Sequence, residues 1–480
     1  MKANKPPIFV GREAEICRLN NIIKHKQSAI LIVYGRRRIG KTALLEHVFT
    51  KRNLIKIEGL EKGGIKVQIK SALQQVAAQL PAHPVTSWHP ENWSDFFRLL
   101  GSIVKEGEWT LYLEEYQWLS CYRTQLTAEL KLAWDNWFSK NQNLILILCG
   151  SSPSFMINKV VKSKSLHNRS HHEMHLRALP FQDARKLLPK NCTLREAFDA
   201  FLLVGGVPEY LRRLNIRSSC YLSFMHEAFS SDGFFVNEFQ RMIVSSLAKN
   251  PDFEKIIRYL AKVRFAERKE IAKAIKQPPG GALTRLLDEL TDCGLIRCYV
   301  PIDKPENSLL QRYALADPFL RTYFAQIVPR LSKIREGNYD KTPEKFLSYG
   351  ELSAHLGLEF EEFCRANSSK IAKLLGFSAV DFKSGSYFSR VVSAKHPGYQ
   401  LDLVFQRADH VHTVCEIKYT REPADISIIT PFERAVSIYN TKFKDRVHRV
   451  LISAAGANAA LTDQHYFDSQ INLDQLTNET

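Results

Sequence analysis

Gly35-Arg36-Arg37-Arg38-Ile39-Gly40-Lys41-Thr42 spaces two glycines, a lysine and a hydroxyl in the order G-x-x-x-x-G-K-[ST]. Glycines let a backbone turn tightly enough to aim successive N–H groups at an anion, and a following helix adds the positive end of its dipole. Such a loop cradles the phosphates of a nucleotide, with Lys41 reaching the β/γ oxygens and Thr42 holding Mg²⁺. Two other groups of residues have the types for chemistry. Glu114 and Glu115 are adjacent carboxylates, and Asp402, Glu416 and Lys418 read D…E-x-K.

The flanks of the first pattern separate it from a chance match. Ala29 to Tyr34 is a short apolar run of buried-strand type, and Ala43 to Phe49 continues as an amphipathic helix, so the loop joins a strand to a helix N-terminus. Trp93 to Lys105 has helical spacing and leads into the run Trp109 to Glu115, which reads as a Walker B strand. At its end Glu114 can bind Mg²⁺ through water and Glu115 can orient or deprotonate the attacking water. Aspartate is the usual first acid, so Glu114 lengthens that side chain by one methylene. A third strand, Leu144 to Cys149, runs into Gly150-Ser151-Ser152, where hydroxyls can sense a γ-phosphate. Strands alternating with helices predict an α/β fold with a parallel sheet and its ligand at the strand C-terminal edges.

Phe9-Val10-Gly11-Arg12-Glu13-Ala14-Glu15, the phosphate loop, Leu113-Glu114-Glu115-Tyr116-Gln117, Cys149-Gly150-Ser151-Ser152 and Gly205-Gly206-Val207-Pro208-Glu209-Tyr210-Leu211 occur in one order along the chain. That order resembles the archaeal-type ATPases of the STAND branch of AAA+-like proteins. The resemblance implies ATP as ligand and a helical lid in which Pro208 approaches the adenine, with Ser151 near the γ-phosphate. It also implies that Arg169 helps to read the γ-phosphate, although Asn168 stands where a glycine is expected. His167, His171, His172 and His175 surround Arg169; a solvated basic loop is expected there rather than a metal site, with a strand following from Met174 to Leu179.

Phe253 to Val263, Glu267 to Ile275 and Gly281 to Asp292 read as three helices, and Gly294 to Val300 as a strand, an order that suits a winged helix. The third helix of such folds often reads DNA. Here it carries Arg285, Asp288, Glu289 and Asp292, an acidic balance poorly suited to phosphate, so a structural or nucleotide-responsive module is expected. Tyr313 to Arg321 resembles the segment that ends this module in the same family, and Arg330 to Glu344 reads as a linker.

In the C-terminal part, the run Gly357 to Cys364 lies on a helix and precedes strands at Tyr399 to Phe405 and Val411 to Lys418. Asp402, Glu416 and Lys418 form the core of the PD-(D/E)XK nuclease pattern, and Glu361 matches the acidic residue of its first helix. Carboxylates on adjacent strands can clamp Mg²⁺ against a phosphodiester, while Lys418, on the same face as Glu416, orients water or stabilises developing charge. Alternating acid and base on a strand is ordinarily a solvated face. Both strands are otherwise apolar, so three charges there call for compensation by one another or by a metal.

The 480 residues suffice for roughly three domains. A formal charge of +17 favours polyanionic partners, with DNA ahead of RNA. Nine scattered cysteines read as reduced thiols, and neither a signal-type h-region nor an apolar run of spanning length occurs, which predicts a cytoplasmic protein without a membrane partner. The expected division is a P-loop core at 1–180, a helical lid at 181–248, a winged helix at 249–329, a linker at 330–347 and an α/β restriction-endonuclease-like domain at 348–480. The function expected is an ATPase whose nucleotide state controls a nuclease-like domain; the alternative is an ATP-dependent interaction switch with an inactive nuclease-like scaffold. An ATP-dependent oligomer or protein partner fits either.

Overall fold

The computed structural model describes residues 9–164, 166, 170–246, 250–305, 308–389 and 398–478. Its first part is built on five parallel strands, β1 (Ala29–Tyr34), β2 (Asn53–Glu58), β3 (Trp109–Glu114), β4 (Ile145–Gly150) and β5 (Ser170–His175), in the order β2-β3-β4-β1-β5. Every residue of β1 and β4 is buried, as expected of central strands covered on both faces. Helix α1 (Lys41–Phe49) follows β1 directly, with Gly40 as its N-cap at φ 89°, a left-handed conformation in which a side chain would be strained.

The strand expected from Met174 to Leu179 begins earlier and ends at His175. Residues 170–175 pair with β1, from Ile30↔Ser170 to Tyr34↔His175, so the basic loop expected around the histidines is, over this stretch, an edge strand. The reason is alternation: Met174 and Leu176 are buried while Glu173 and His175 lie on the other side, where Tyr34 donates to Glu173 and His175 stacks on Tyr34 at 4.8 Å. His167 and Arg169 lie outside the described residues.

Helices α2 (Leu194–Val204) and α3 (Pro208–Arg213) follow, joined by Gly205-Gly206-Val207. Gly206 has no room for a side chain, since a Cβ there would sit 1.8 Å from the Leu179 carbonyl oxygen, and its own carbonyl accepts the Leu179 N–H at 2.8 Å. Next come α4 (Pro251–Lys262), α5 (Arg268–Ile275) and α6 (Gly281–Asp292), with an antiparallel sheet of β6 (Ala266–Glu267), β8 (Arg312–Leu315) and β7 (Ile296–Tyr299) in that order. The short helix α7 (Pro318–Thr322) is N-capped by Asp317. The segment expected to be a linker is folded: Ile334 is fully buried, Asp340 accepts from Ser231 N and Oγ at 2.7 Å, and Phe346 packs on Phe229.

The last part opens with helix α8 (Tyr349–Ala366), started by a Ser348/Glu351 capping box. A mixed sheet follows, in the order β13 (Ser469–Ile471), β12 (Arg446–Ser453), β11 (Val411–Lys418), β10 (Tyr399–Arg407), β9 (Phe382–Ser389). β9, β10 and β11 are antiparallel neighbours, whereas β12 returns parallel to β11 after helix α9 (Ile429–Phe443). A single apolar cluster runs from Leu179 through α2, α4 to α6 and α8 to Leu476, so these parts share one core. Among the described residues, no helix is long and apolar enough to cross a membrane.

Candidate nucleotide site and candidate phosphodiester site

A cavity of about 460 Å³ opens at the C-terminal ends of the parallel strands. Its floor is the loop from Arg37 to Thr42, its flank carries Lys56, Glu114 and Glu115, and Pro208, Glu209 and Arg212 close it from the lid side. Of the residues expected to bind nucleotide, Gly35 and Arg36 are not in its wall, and Ser151 stands behind Glu115. Lys41 is folded back onto the loop, donating to the carbonyls of Gly35 at 2.9 Å and Arg36 at 3.1 Å. These bonds to neutral carbonyls hold its ammonium under the phosphate seat. Arg12, itself buried and just ahead of the helix Glu13–Lys24, staples that helix start to the loop, donating to Ile39 O at 3.1 Å and Arg177 O at 2.6 Å.

β4 separates β3 from β1, so the two glutamates must reach across a strand end to meet the loop. Glu114 does so: its Oε1 accepts from Thr42 Oγ1 and, at 2.9 Å, from Tyr112 OH, while Lys56 pairs with its Oε2 at 2.7 Å. The Thr42 hydroxyl and the Glu114 carboxylate are hard oxygen donors facing one another beside the phosphate seat, a donor set that fits Mg²⁺. Glu115 is turned the other way by its left-handed φ of 50°. Its Oε2 accepts from Gln117 Nε2 at 2.6 Å, Ser151 Oγ at 2.5 Å and Ser151 N at 3.2 Å, so Ser151 and Gln117 hold the carboxylate at the cavity edge.

Sequence reasoning missed Lys56, which no motif contains, and the roles of Gln117 and of the loop arginines. Arg36 donates to Asp317 and, at 3.4 Å, to Tyr210 OH; Arg38 pairs with Glu238 at 2.8 Å and lies 4.7 Å over Phe234. Burial works against the Arg36 charge, but Asp317 and Tyr210 outweigh it and raise its pKa. Arg36 and Arg38 are thus held by acids far along the chain, Arg36 outside the cavity wall and Arg38 within it. Only Arg37 is exposed, and it lines the cavity.

The second constellation assembles on β10, β11 and α8. The pairing of β10 with β9 shifts register between Leu401 and Val404, a bulge that carries Asp402. Asp402 Oδ2 accepts from Ile417 N at 3.2 Å, its Oδ1 accepts from Gln400 at 3.1 Å, and Lys418 pairs with Glu416 at 2.6 Å. Glu361 is bound by Arg264 at 3.0 Å and by Arg365 at 3.3 Å. Burial, followed by the charge of Asp402, raises the pKa of both Glu361 and Glu416. All four expected residues lie in one neighbourhood, and their oxygens are of the kind Mg²⁺ takes, yet no three of these ligand atoms lie within 4.8 Å of one another. Among the described residues, the one set of three ligand atoms within 4.8 Å of each other is Cys192, Glu196 and Cys220, near the start of α2 and on a later helix.

The acidic third helix is also accounted for. α6 packs on the segment Pro153–Phe155 that leaves β4 just past Ser151, and Glu289 bonds with Ser154. Its Glu289 side is docked beside the end of β4, while Arg285 and Asp288 stay exposed.

Residues 9–62 match the family described as an ATPase domain predominantly from Archaea. An uncharacterized protein of Methanocaldococcus jannaschii, MJECL04, is 26% identical over 403 residues, spanning 83% of this chain and 84% of its own. Among solved structures, the Walker-type ATPase PABY2304 of Pyrococcus abyssi aligns at 18% identity and a TM-score of 0.47, covering 66% of this chain and 96% of that one. The ORC2 protein of Aeropyrum pernix, solved as ADPNP–ADP complexes, aligns at 15% identity and a TM-score of 0.43, covering 70% and 97%. The family match contains Gly35 to Thr42, so the phosphate loop belongs to an archaeal-type ATPase domain.

Proposed function

We propose that the chain binds and hydrolyses ATP as a STAND/AAA+-like switch, and that its nucleotide state controls a C-terminal nuclease-like domain acting on nucleic acid. The observation that carries this reading is the placement of α2 and α3. Pro208 at the start of α3 lines the nucleotide cavity, and two glycines earlier α2 presses Phe198 against Phe363 of α8 at 4.9 Å. α8 bears Glu361. A second connection supports it: Arg36 of the loop holds Asp317 at the head of α7, and Arg321 of α7 holds the buried Glu359 of α8 at 2.6 Å. Phosphates settling in the loop must change the field around Arg36 and Arg38, and packed helices pass such changes on as discrete shifts.

In this reading Lys41 leaves its loop carbonyls for the β/γ oxygens, and Glu115 takes or orients the proton of the attacking water, with Ser151 holding it. Thr42 and Glu114 would hold Mg²⁺, which supplies charge neutralisation at those oxygens. Pro208 approaches the base, and Arg169 is assigned to the γ-phosphate by resemblance. In the C-terminal part, Asp402 and Glu416 would hold a divalent ion, Lys418 would act at the phosphodiester and Glu361 would support them. We assign residues 1–180, 181–248, 249–329 and 348–480 to core, lid, winged helix and nuclease-like domain. A nucleotide-dependent oligomer or protein partner is compatible with this layout.

The second reading, a switch with an inactive nuclease-like scaffold, draws on the arginines bound to Glu361 and on the separation of the carboxylates. A matrix of ATP and Mg²⁺, assayed for phosphate release and for nicking of DNA and RNA, decides between them. Phosphate release with nicking supports the first; phosphate release without nicking in any arm supports the second.

A further inference from the structure

We propose that the cleft between the three-stranded β6–β8 module and the β9–β10 face is a binding site for single-stranded nucleic acid, feeding the Asp402/Glu416/Lys418 constellation. The inference rests on the nuclease-like reading for its purpose, but not for its geometry. The cavity has a volume of about 560 Å³ and is separate from the nucleotide site. One wall is Arg264, Phe265, Arg297 and Tyr299; the other is Phe388, Tyr399 and Gln400, with Arg365 and Glu362 of α8 between them. Three arginines line it against Glu362, and Glu361, just outside the wall, pairs with Arg264 and Arg365, which leaves an excess of one positive charge.

The polar groups are arranged along a line toward Asp402. Arg264 donates to Gln400 Oε1 at 2.6 Å as well as to Glu361, Gln400 donates to Asp402, and Arg365 donates to the Asp402 carbonyl at 3.0 Å. Arg297 pairs with Glu362, whose carboxyl burial would raise; Arg365, Arg297 and Arg321 together pull it down to about 2. Arg297 keeps 31% of its side chain exposed, so it can take a phosphate without leaving that carboxylate.

The apolar groups decide which nucleic acid fits. Phe265, Tyr299, Phe388 and Tyr399 are only half-buried, and Arg312 lies 4.3 Å over Phe265 and 5.1 Å over Phe388, bracing the two rings. Half-exposed rings among arginines are a stacking platform for unpaired bases beside a seat for their phosphates. A duplex has its bases already stacked and cannot use the rings. The usual duplex reader of a three-helix module, its third helix, here spends Glu289 on Ser154 and exposes Arg285 beside Asp288, without the cationic excess that duplex phosphates call for. Because the two walls come from different parts of the chain, any nucleotide-driven shift between them would open or close the grip.

The test is fluorescence anisotropy of the full-length chain in EDTA, using a 5′-labelled thymidine oligonucleotide, the matching uridine oligonucleotide and a duplex. Single strands should bind more tightly than the duplex, with the two sugars distinguished by their arms. Arg297→Glu should weaken the single strand by about tenfold or more and lower the salt slope by roughly 0.7 for each phosphate no longer neutralised. Tyr299→Leu, which keeps apolar volume and removes the ring, should weaken it by about tenfold with the salt slope unchanged. Arg434→Glu, an exposed site on α9, should do neither. Equal affinity for the duplex, no binding of single strands, or wild-type affinity in both folded cleft variants would overturn the proposal. Cleavage is scored separately with Mg²⁺: a strand that binds through the cleft but is never cut removes the nuclease reading and leaves this site standing, whereas cutting with the cleft variants unimpaired in affinity removes the site and leaves the nuclease.

Discussion

Replacing Asp317 by asparagine should loosen the junction between the phosphate loop and α7 by about 3 kcal/mol. Asp317 has two jobs: its Oδ2 receives Arg36, and its Oδ1 caps α7 through Leu320 N at 2.8 Å. Asparagine caps a helix as well as aspartate does, so Asp317→Asn removes charge and keeps the cap. The side chains of Arg36 and Asp317 are 10% and 5% exposed, which makes this a buried pair. Stranding one charge of such a pair costs about 3–5 kcal/mol, and the neutral Tyr210 hydroxyl at 3.4 Å recovers only part of it. Arg36→Met/Asp317→Asn, which strands nothing, should return to within about 1 kcal/mol of wild type. Native-state hydrogen exchange reads this locally in a multidomain chain: the Leu320 and Arg321 amides should exchange roughly 100-fold faster in Asp317→Asn and near the wild-type rate in the double variant. Exchange within a few-fold of wild type in Asp317→Asn, or a double variant as loose as the sum of the singles, would refute the argument.

Lys41→Ala removes the cation beneath the phosphate seat and should largely abolish ATP binding by calorimetry; a folded variant with unchanged affinity would end the phosphate-loop assignment. Glu115→Gln should keep ATP affinity and slow phosphate release by about 10²-fold or more. Normal hydrolysis in Glu115→Gln, with loss in Glu114→Gln, would show that the two acids have been given each other's roles. His355 lies buried between Thr322 and Arg321, and burial, then Arg321, lowers its pKa from the usual 6.5 to about 4. Between those values the unfolded chain takes up a proton that the folded chain does not, so stability should fall as pH drops from about 6.5 toward 4, by up to about 3 kcal/mol. His355→Gln, which can keep the bond to Thr322, should flatten a melting-temperature profile over that range; an unchanged profile would contradict the assignment.

The phosphate loop, the strand that ends in Glu114 and the D…E-x-K strands were legible because each is a local run in which side-chain type and strand or helix period coincide, whereas Pro208 rested on resemblance alone. Helix α6 and strands β10 and β11 lie where their periodicity puts them, give or take a residue or two. What could not be read is set by pairing between distant segments. Lys56 reaches Glu114 only because β2 pairs with β3, Glu58 against Glu114, and nothing near Lys56 announces that register. Arg36 and Arg38 look like phosphate ligands from their position, but Asp317 and Glu238, far along the chain, claim them. The histidines around 170–175 looked like a polar loop because an edge strand needs only one apolar face, and Met174 and Leu176 supply it. Segment 330–347 has linker composition and stays largely exposed, yet the buried Ile334 and the packing of Phe346 on Phe229 anchor it to the fold.

The central claim is that two separate sites are coupled, and the most direct measurement is strand nicking with Mg²⁺, with and without ATP, in wild type, Asp402→Ala and Lys41→Ala, alongside ATP affinity. The account predicts that wild-type nicking depends on ATP, that Asp402→Ala abolishes nicking while ATP affinity stays intact, and that Lys41→Ala leaves nicking indifferent to ATP. Nicking that survives Asp402→Ala, ATP dependence that survives Lys41→Ala, or a folded wild-type chain that binds ATP and cuts neither DNA nor RNA would contradict it.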